Sequence, residues 1–232
     1  MAYFDGFVLA VPAANKDAYL ALAEKVAPAF MEFGATRLVE AWGEHVPDGV
    51  LTDFKRAVKA TEDEAVVLSW IEYPDRATRD AAHEKMKEMG MGEDDMPFDG
   101  KRMIFGGFAP IVDQGARGRV AYIDGMLTPV RTAERDDYRA ACERVVGALL
   151  EHGAARVVHG WGDDTPDGKV TDYKRAVMAE DDETVVYAWI EWPSSETREA
   201  AWKTVMTDPR MQNLPFDAKR AVFGGFAPIL DA

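Results

Sequence analysis

The sequence predicts an α+β protein made of two copies of one β-α-β-β-β-α-β unit, pressed together sheet to sheet. Three observations lead there. The chain repeats itself: TDFKRAVKATEDEAVVLSWIEYP (Thr52–Pro74) returns as TDYKRAVMAEDDETVVYAWIEWP (Thr171–Pro193), and MPFDGKRMIFGGFAPIVD (Met96–Asp113) as LPFDAKRAVFGGFAPILD (Leu214–Asp231). Such whole-chain similarity marks a duplicated domain, because solenoid periods are only ~20–50 residues. Within each copy, runs rich in aromatic and β-branched residues alternate with runs of helical period. Finally, one strand of each copy is apolar on both faces, which an isolated unit could not hide from water.

The elements follow in chain order. AYFDGFVLAVP is aromatic and β-branched and ends at a proline, giving strand one. Tyr19, Leu22, Val26, Phe30 and Phe33 then recur at helical spacing, and Gly34 stops that helix. ATRLVEAW is strand two. After the VPDG turn, TDFKRAV reads as strand three, with Phe54, Arg56 and Val58 on one face and Asp53, Lys55 and Ala57 on the other. AVVLSWIEY is strand four, apolar in both registers: Val66, Leu68 and Trp70 on one side, Val67, Ile71 and Tyr73 on the other. Pro74 opens the second helix at its favoured first turn, and KRMIFGGFAPI closes the unit. This is a ferredoxin-like order with an added hairpin strand. The first unit spans 1–113 and the second 120–232, joined by a polar linker at 114–119. Two helices on one face leave the other face of each sheet bare. Covalent linkage raises the effective concentration of the two bare faces to about millimolar, so they pair with each other.

Composition narrows the partners. Net charge is −14, and the basic residues are scattered, so the surface repels phosphate backbones and anionic lipid. No nucleic-acid or membrane partner is expected. No apolar run reaches the ~18 residues of a membrane span. The opening stretch lacks a basic region and is interrupted by Asp5, so no signal peptide is expected and a cytoplasmic location fits. The single cysteine, Cys142, suits a reducing compartment and reads as a packed thiol in a helix.

The segments TDFKRAV, SWIEYP and MPFDGKRMIFGGFAPIVD resemble the YbaA-like family of bacterial proteins of unknown function. The resemblance covers both halves. It implies the dimeric α/β-barrel superfamily, in which two ferredoxin-like units enclose one barrel, and here a dimer made within one polypeptide. It supplies no catalytic residues. The wider superfamily holds cofactor-free monooxygenases, isomerases, cyclases and haem enzymes, so the fold does not choose a reaction.

Within such a barrel, Arg56 and Arg175 read as cations in an apolar row. They need acceptors, for which Glu72 and Glu191, beside Trp70 and Trp189, are the nearest candidates, with Asp5 or Asp124 as alternatives. Either these are structural ion pairs, or the arginines receive an anionic ligand. Strand two separates the copies: Glu40 in one is His159 in the other, on the same face as Trp42 and Trp161. A lone imidazole beside aromatics is a candidate general base, with a hydrogen-bonded structural histidine as the plainer reading. No HxH, HExxH or CxxC spacing occurs, so neither a metal nor an organic cofactor is expected. The glycine pairs of FGGF mark a bulge or a close backbone approach. Lys101–Arg102 and Lys219–Arg220 either hold an anion or neutralise Asp99 and Asp217. Met86, Met89, Met91, Met96 and Met103 form either a flexible cover or core filling. Together these features predict a cofactor-independent enzyme or ligand-binding protein that uses the barrel interior for a small molecule. The alternative is a non-catalytic interaction or stress protein with a packed barrel. An open interior favours the first and a packed one the second. The chain is a pseudo-dimer, which leaves further self-association open.

Overall fold

The structure, a computed structural model, describes residues 2–90, 96–118, 120–212 and 214–232. The first half contributes β1 (Tyr3–Pro12), α1 (Lys16–Glu32), β2 (Arg37–His45), α2 (Phe54–Ala57), β3 (Glu64–Tyr73), α3 (Arg76–Met89) and β4 (Ile104–Gly115). The second half repeats the series as β5 (Tyr122–Arg131), α4 (Arg135–Glu151), β6 (Arg156–Asp164), α5 (Tyr173–Ala176), β7 (Glu183–Trp192), α6 (Ser195–Val205) and β8 (Val222–Asp231). The strands close into one barrel in the order β1-β3-β2-β8-β5-β7-β6-β4. Its seams are β2 with β8 and β4 with β6, both antiparallel, so the last strand of each half pairs with the second strand of the other. The expected pairing of two apolar sheet faces therefore takes the form of a closed barrel, which leaves no edge unpaired.

Strand alternation sorts side chains into two cores. Phe4, Val8, Val39, Val66, Leu68 and Trp70 point inward and meet Leu127, Val158, Val185, Tyr187, Trp189 and Phe226 from the other half. The rings of Trp70 and Trp189 stack at the centre, 4.4 Å between centroids and 25° between planes. Each such fully buried side chain contributes roughly 1.5–3 kcal/mol relative to exposure. The outer faces are covered by helices, with α1 over the first sheet and α4 over the second.

One element departs from the sequence reading. TDFKRAV is not a strand but the short helix α2, and its copy is α5. The Asp53 carboxylate accepts from the Arg56 backbone N–H at 2.8 Å, an N-cap that turns the chain into a helical path. Phe54, Ala57 and Val58 are the buried apolar residues, a spacing of three and four rather than two. Each unit is thus a four-stranded ferredoxin-like sheet without the extra strand. α2 and α5 plug one end of the barrel: Thr52 Oγ1 donates to Ala176 O (2.7 Å), and Thr171 Oγ1 to Ala57 O (2.6 Å).

The FGGF glycines serve close approach. A Cβ at Gly107 would collide with the ring of Tyr3, and one at Gly225 with Tyr122. Arg102 grips Glu64 through two nitrogens (2.6 and 2.8 Å) and also Asp99, and Arg220 repeats this with Glu183 and Asp217. The glycines of the repeated closing phrase therefore serve as scaffold, and the arginine of each basic pair neutralises nearby carboxylates.

Candidate functional site

At the barrel end opposite α2 and α5, Glu72 and Glu191 point inward, as the alternation of their strands requires. Each accepts from its own tryptophan, Trp70 Nε1 at 3.2 Å and Trp189 Nε1 at 2.9 Å. Their cations are not Arg56 and Arg175. Arg37 reaches across the barrel to Glu191 (2.7 Å) and also grips Asp231. Arg156 reaches the other way to Glu72 (2.7 and 2.9 Å) and grips Asp113. Arg117 adds a further contact to Glu72. Burial alone would raise the Glu72 pKa. Hydrogen bonds from Arg156 and the charges of Arg156, Arg117 and Arg37 outweigh burial and hold it below the ordinary value. These crossed pairs lock one half to the other.

Arg56 and Arg175 stand on the exposed sides of α2 and α5, with side chains 53% and 55% exposed, paired with Asp53 (3.2 Å) and Asp172 (3.3 Å). The expectation of a buried arginine fails because it rested on a strand that is a helix. Trp42 and Trp161 lie on the outer face under the helices, with Lys16 and Arg135 over their rings at 5.0 and 5.7 Å. The barrel interior is filled by its own aromatic side chains, so the chamber expected there is not the place where a ligand fits.

Open space lies elsewhere, between α1 and the outer face of the first sheet. A cavity of about 220 Å³ is floored by Phe7, Leu9, Leu38, Glu40, Ser69 and Ile71. Helix α1 supplies Tyr19, Leu22, Ala23, Val26 and Phe30, and the segment after α3 supplies Met96, Phe98 and Met103. Two of the five methionines singled out in the sequence thus cover a cavity; Met91 lies outside the described residues. The outer core of this half is split into two clusters, one around Trp42 and one around Leu38 and Tyr73.

Among the described residues Glu40 is the one charged side chain in this lining. Tyr19 donates to its Oε2 at 2.5 Å, and the Ser69 hydroxyl lies across from it on the neighbouring strand. Burial pushes the carboxyl up to about 7, against the lowering effect of those two hydroxyls. Tyr19 is itself held well above its ordinary value by burial and by the carboxyl beside it. Near neutral pH the pair is a carboxyl close to half ionised, backed by a phenol that keeps its proton.

The same position in the second half is built differently. His159 is buried beneath α4, its Nδ1 3.1 Å from Tyr138 Oη and 3.6 Å from Cys142 Sγ. Burial pulls its pKa down to about 4 and pushes the Cys142 thiol up to about 12, so both are neutral at pH 7. Around them Val145, Val146, Leu149, Val157 and Trp161 form one continuous cluster.

A family model described as a protein of unknown function, DUF1428, matches residues 2–100 and again residues 121–218. The chain belongs to the DUF1428 family. The uncharacterized protein YbaA of Escherichia coli K12 is 59% identical over 120 residues, which is 100% of YbaA and 49% of this chain. YbaA of Shigella flexneri matches to the same extent. Among solved structures, a monooxygenase-like protein from Fusobacterium nucleatum superposes with a TM-score of 0.63 at 9% identity, covering 99% of this chain and 93% of that one. A second, from Lactobacillus acidophilus, gives 0.59 at 10%, covering 100% and 95%. An anthrone oxidase-like protein gives 0.53 at 12%, covering 99% and 92%. At these identities the likeness is one of fold. This DUF1428 chain carries the family unit twice, as its internal repeat implies.

Two kinds of site residue escaped the sequence reading of this DUF1428 protein. Arg37 and Arg156 open strand two in both copies and share the inward register of Val39 and Val158, a signal present in GATR and GAAR. Tyr19 recurs as Tyr138 and reads only as a helix-face aromatic until the fold sets it against Glu40.

Proposed function

We propose that the first half uses the cavity between α1 and the sheet as a small-molecule site, in which Glu40 takes a proton from the bound molecule or returns one to it. One observation carries the reading. A buried carboxyl without a basic partner among the described residues stands in the wall of an apolar cavity. An apolar cavity of ~150 Å³ accepts benzene, so about 220 Å³ has room for one ring with a short substituent. A carboxyl titrating near 7 suits general acid–base work at neutral pH, where such groups act best. Side chains alone supply both binding and proton transfer here, so the scheme needs no metal or organic cofactor. The fold neighbours named for monooxygenase and anthrone oxidase activity agree with an enzyme reading, but the proposed chemistry rests on the cavity.

The filled barrel interior favours a second reading, a non-catalytic interaction or stress protein in which duplication serves to cover the apolar sheet faces. One experiment separates the two. A thermal-shift screen of one-ring compounds is run on the wild type, on Val26→Phe, which fills the cavity, and on Val145→Phe, its counterpart in the closed half. Ligands whose shift disappears only in Val26→Phe support the site. No ligand at all, or shifts that survive Val26→Phe, would leave the second reading standing.

A further inference from the structure

Six carboxylates are buried in the described residues: Asp5, Glu40, Asp53, Glu72, Asp172 and Glu191. Five of them have an arginine within 3.3 Å. Arg79 serves Asp5, Arg56 serves Asp53, Arg156 serves Glu72, Arg175 serves Asp172 and Arg37 serves Glu191. Glu40 has no cation among the described residues; Tyr19 donates to it and Ser69 stands across from it on β3. A buried ionised carboxylate without a counter-charge is costly, and the other five avoid that arrangement. Glu40 also stands in the wall of the apolar cavity beneath α1.

We propose that the missing cation arrives with the ligand: the cavity takes a small amine in its ammonium form, with the nitrogen seated on Glu40 and an apolar body of about one ring between α1 and the sheet. This rests on the reading of the cavity as a ligand site and adds the charge of what enters it. The lining supports it independently. Phe7, Tyr19, Phe30 and Phe98 bring four aromatic rings to the cavity, and ring faces attract organic cations. The net charge of −14 draws cations toward the protein and holds anions off. In the second half, where the carboxylate is His159 and Ser69 becomes Ala188, the space is closed, so loss of the anion and loss of the pocket go together.

The electrostatic surroundings of Glu40 are simple. α1 presents Tyr19, β3 presents Ser69, β8 sets Leu230 opposite it, and the segment after α3 brings Met96, Phe98 and Met103 into the same cavity. Behind the sheet, Tyr187 is the titratable group that feels its charge. Tyr19 and Tyr187 both stay protonated in the working range, so among the described residues ligand affinity follows the ionisation of Glu40.

Benzylamine, benzyl alcohol and phenylacetate test this as a cation, a neutral compound and an anion of similar size. Titration calorimetry on the full chain is expected to show benzylamine binding at least ~10-fold more tightly than benzyl alcohol near pH 8, as a charge-assisted contact should. Its affinity should rise about 10-fold from pH 6 to pH 8 as the carboxylate ionises. Phenylacetate is expected to bind weakest. Glu40→Gln should bring benzylamine down toward the affinity of the alcohol and weaken the alcohol far less than the amine. Glu40→His, which copies the residue of the second half, gives a second variant should the first fold poorly. Val26→Phe separates the two levels. If the alcohol or the acid binds as tightly as the amine and all binding is lost in Val26→Phe, the ligand site stands and the ammonium assignment is overturned. Amine binding that Glu40→Gln and Glu40→His leave intact overturns the assignment as well. No binding by any of the three, or binding that Val26→Phe does not touch, removes the site and the assignment together.

Discussion

The two halves share a strand order, a plug helix and the mirrored pairs Trp70–Glu72 and Trp189–Glu191, yet they treat the space beneath their first helices differently. Beneath α4, Cys142, Val145, Val146 and Leu149 close onto His159 and Trp161. Beneath α1, the matching residues Ala23, Val26, Ala27 and Phe30 leave a cavity, and Glu40 faces it. The interior of the barrel repeats its Trp–Glu pairs, although other inward positions differ between the halves, with Phe4 and Leu68 of the first matched by Ile123 and Tyr187 of the second. The outer layers answer only to their own helices and are free to diverge. Two identical chains could not diverge in this way, whereas a duplicated chain can keep one half as a packed support and the other as a site. The chain has no helix among the described residues that is long and apolar enough to cross a membrane.

The largest expected effect probes what the halves share. Arg37→Met removes the main cation of Glu191, whose side chain is fully buried, and Arg156→Met removes that of Glu72. Breaking a buried pair from one side typically costs ~3–5 kcal/mol, because a charge is left unpaired. Glu72 keeps Arg117 at its Oε2, whereas Glu191 keeps as its cation only Arg156, 3.5 Å from its Oε1, and its Oε2 has no partner among the described residues. Arg37→Met is therefore expected to cost more than Arg156→Met in urea unfolding. Equal losses would mean that Arg117 does not support Glu72 and that the cluster is symmetric after all.

The shared architecture was legible in the sequence for the same reason it is shared. A repeat of TDFKRAV and FGGF reveals duplication directly, and strands apolar on both faces announce a second covering layer. The helix α2 was not legible from alternation, since Phe54, Arg56 and Val58 fit a strand period as well as Phe54, Ala57 and Val58 fit a helical one; the Asp53 cap decides it. The site was only half legible. Comparing copies singled out position 40 against 159, but attention fell on the imidazole, whereas burial leaves the imidazole neutral and brings the carboxyl into the neutral range. Volume cannot be read from one helix face. Whether Val26 or Val145 borders a void depends on residues far away in the chain, such as Met96 and Phe98.

The next effect sharpens the contrast through pH. Glu40 has its folded pKa raised from the ordinary 4.5 to about 7, so its contribution is fully present below 4.5 and is lost as pH rises to about 7. That shift corresponds to about 3 kcal/mol. His159 has its folded pKa lowered from 6.5 to about 4, so its contribution is present above 6.5 and is lost as pH falls toward about 4. It is of similar size, about 3 kcal/mol. Between these limits the two slopes oppose each other, one from each half. Glu40→Gln should uncover stability that rises with pH across this window, and His159→Gln stability that falls. Urea unfolding at several pH values reads both. Parallel curves for the wild type and both variants would mean that the two positions are equally solvated in the folded and unfolded chain.

The smallest expected effect is the most discriminating, because one substitution is made at matching positions. Val26 and Val145 occupy the same place on α1 and α4, facing the same sheet surface. A phenylalanine at 145 enters a continuous cluster in which Tyr138, Val146, Leu149 and Trp161 are already in contact. Extra methylenes in a filled core typically cost ~1–3 kcal/mol. At 26 the ring enters open space lined by Phe7, Leu22 and Phe30 and gains dispersion contacts there, so the change should lie within about 0.5 kcal/mol of neutral or be stabilising. The difference between the two variants cancels helix propensity and denatured-state effects, which are the same for both, and reports the state of the two cavities alone. Equal costs at 26 and 145 would show that the first half is as tightly filled in solution as the second, and the asymmetry between the halves would then reduce to charge alone.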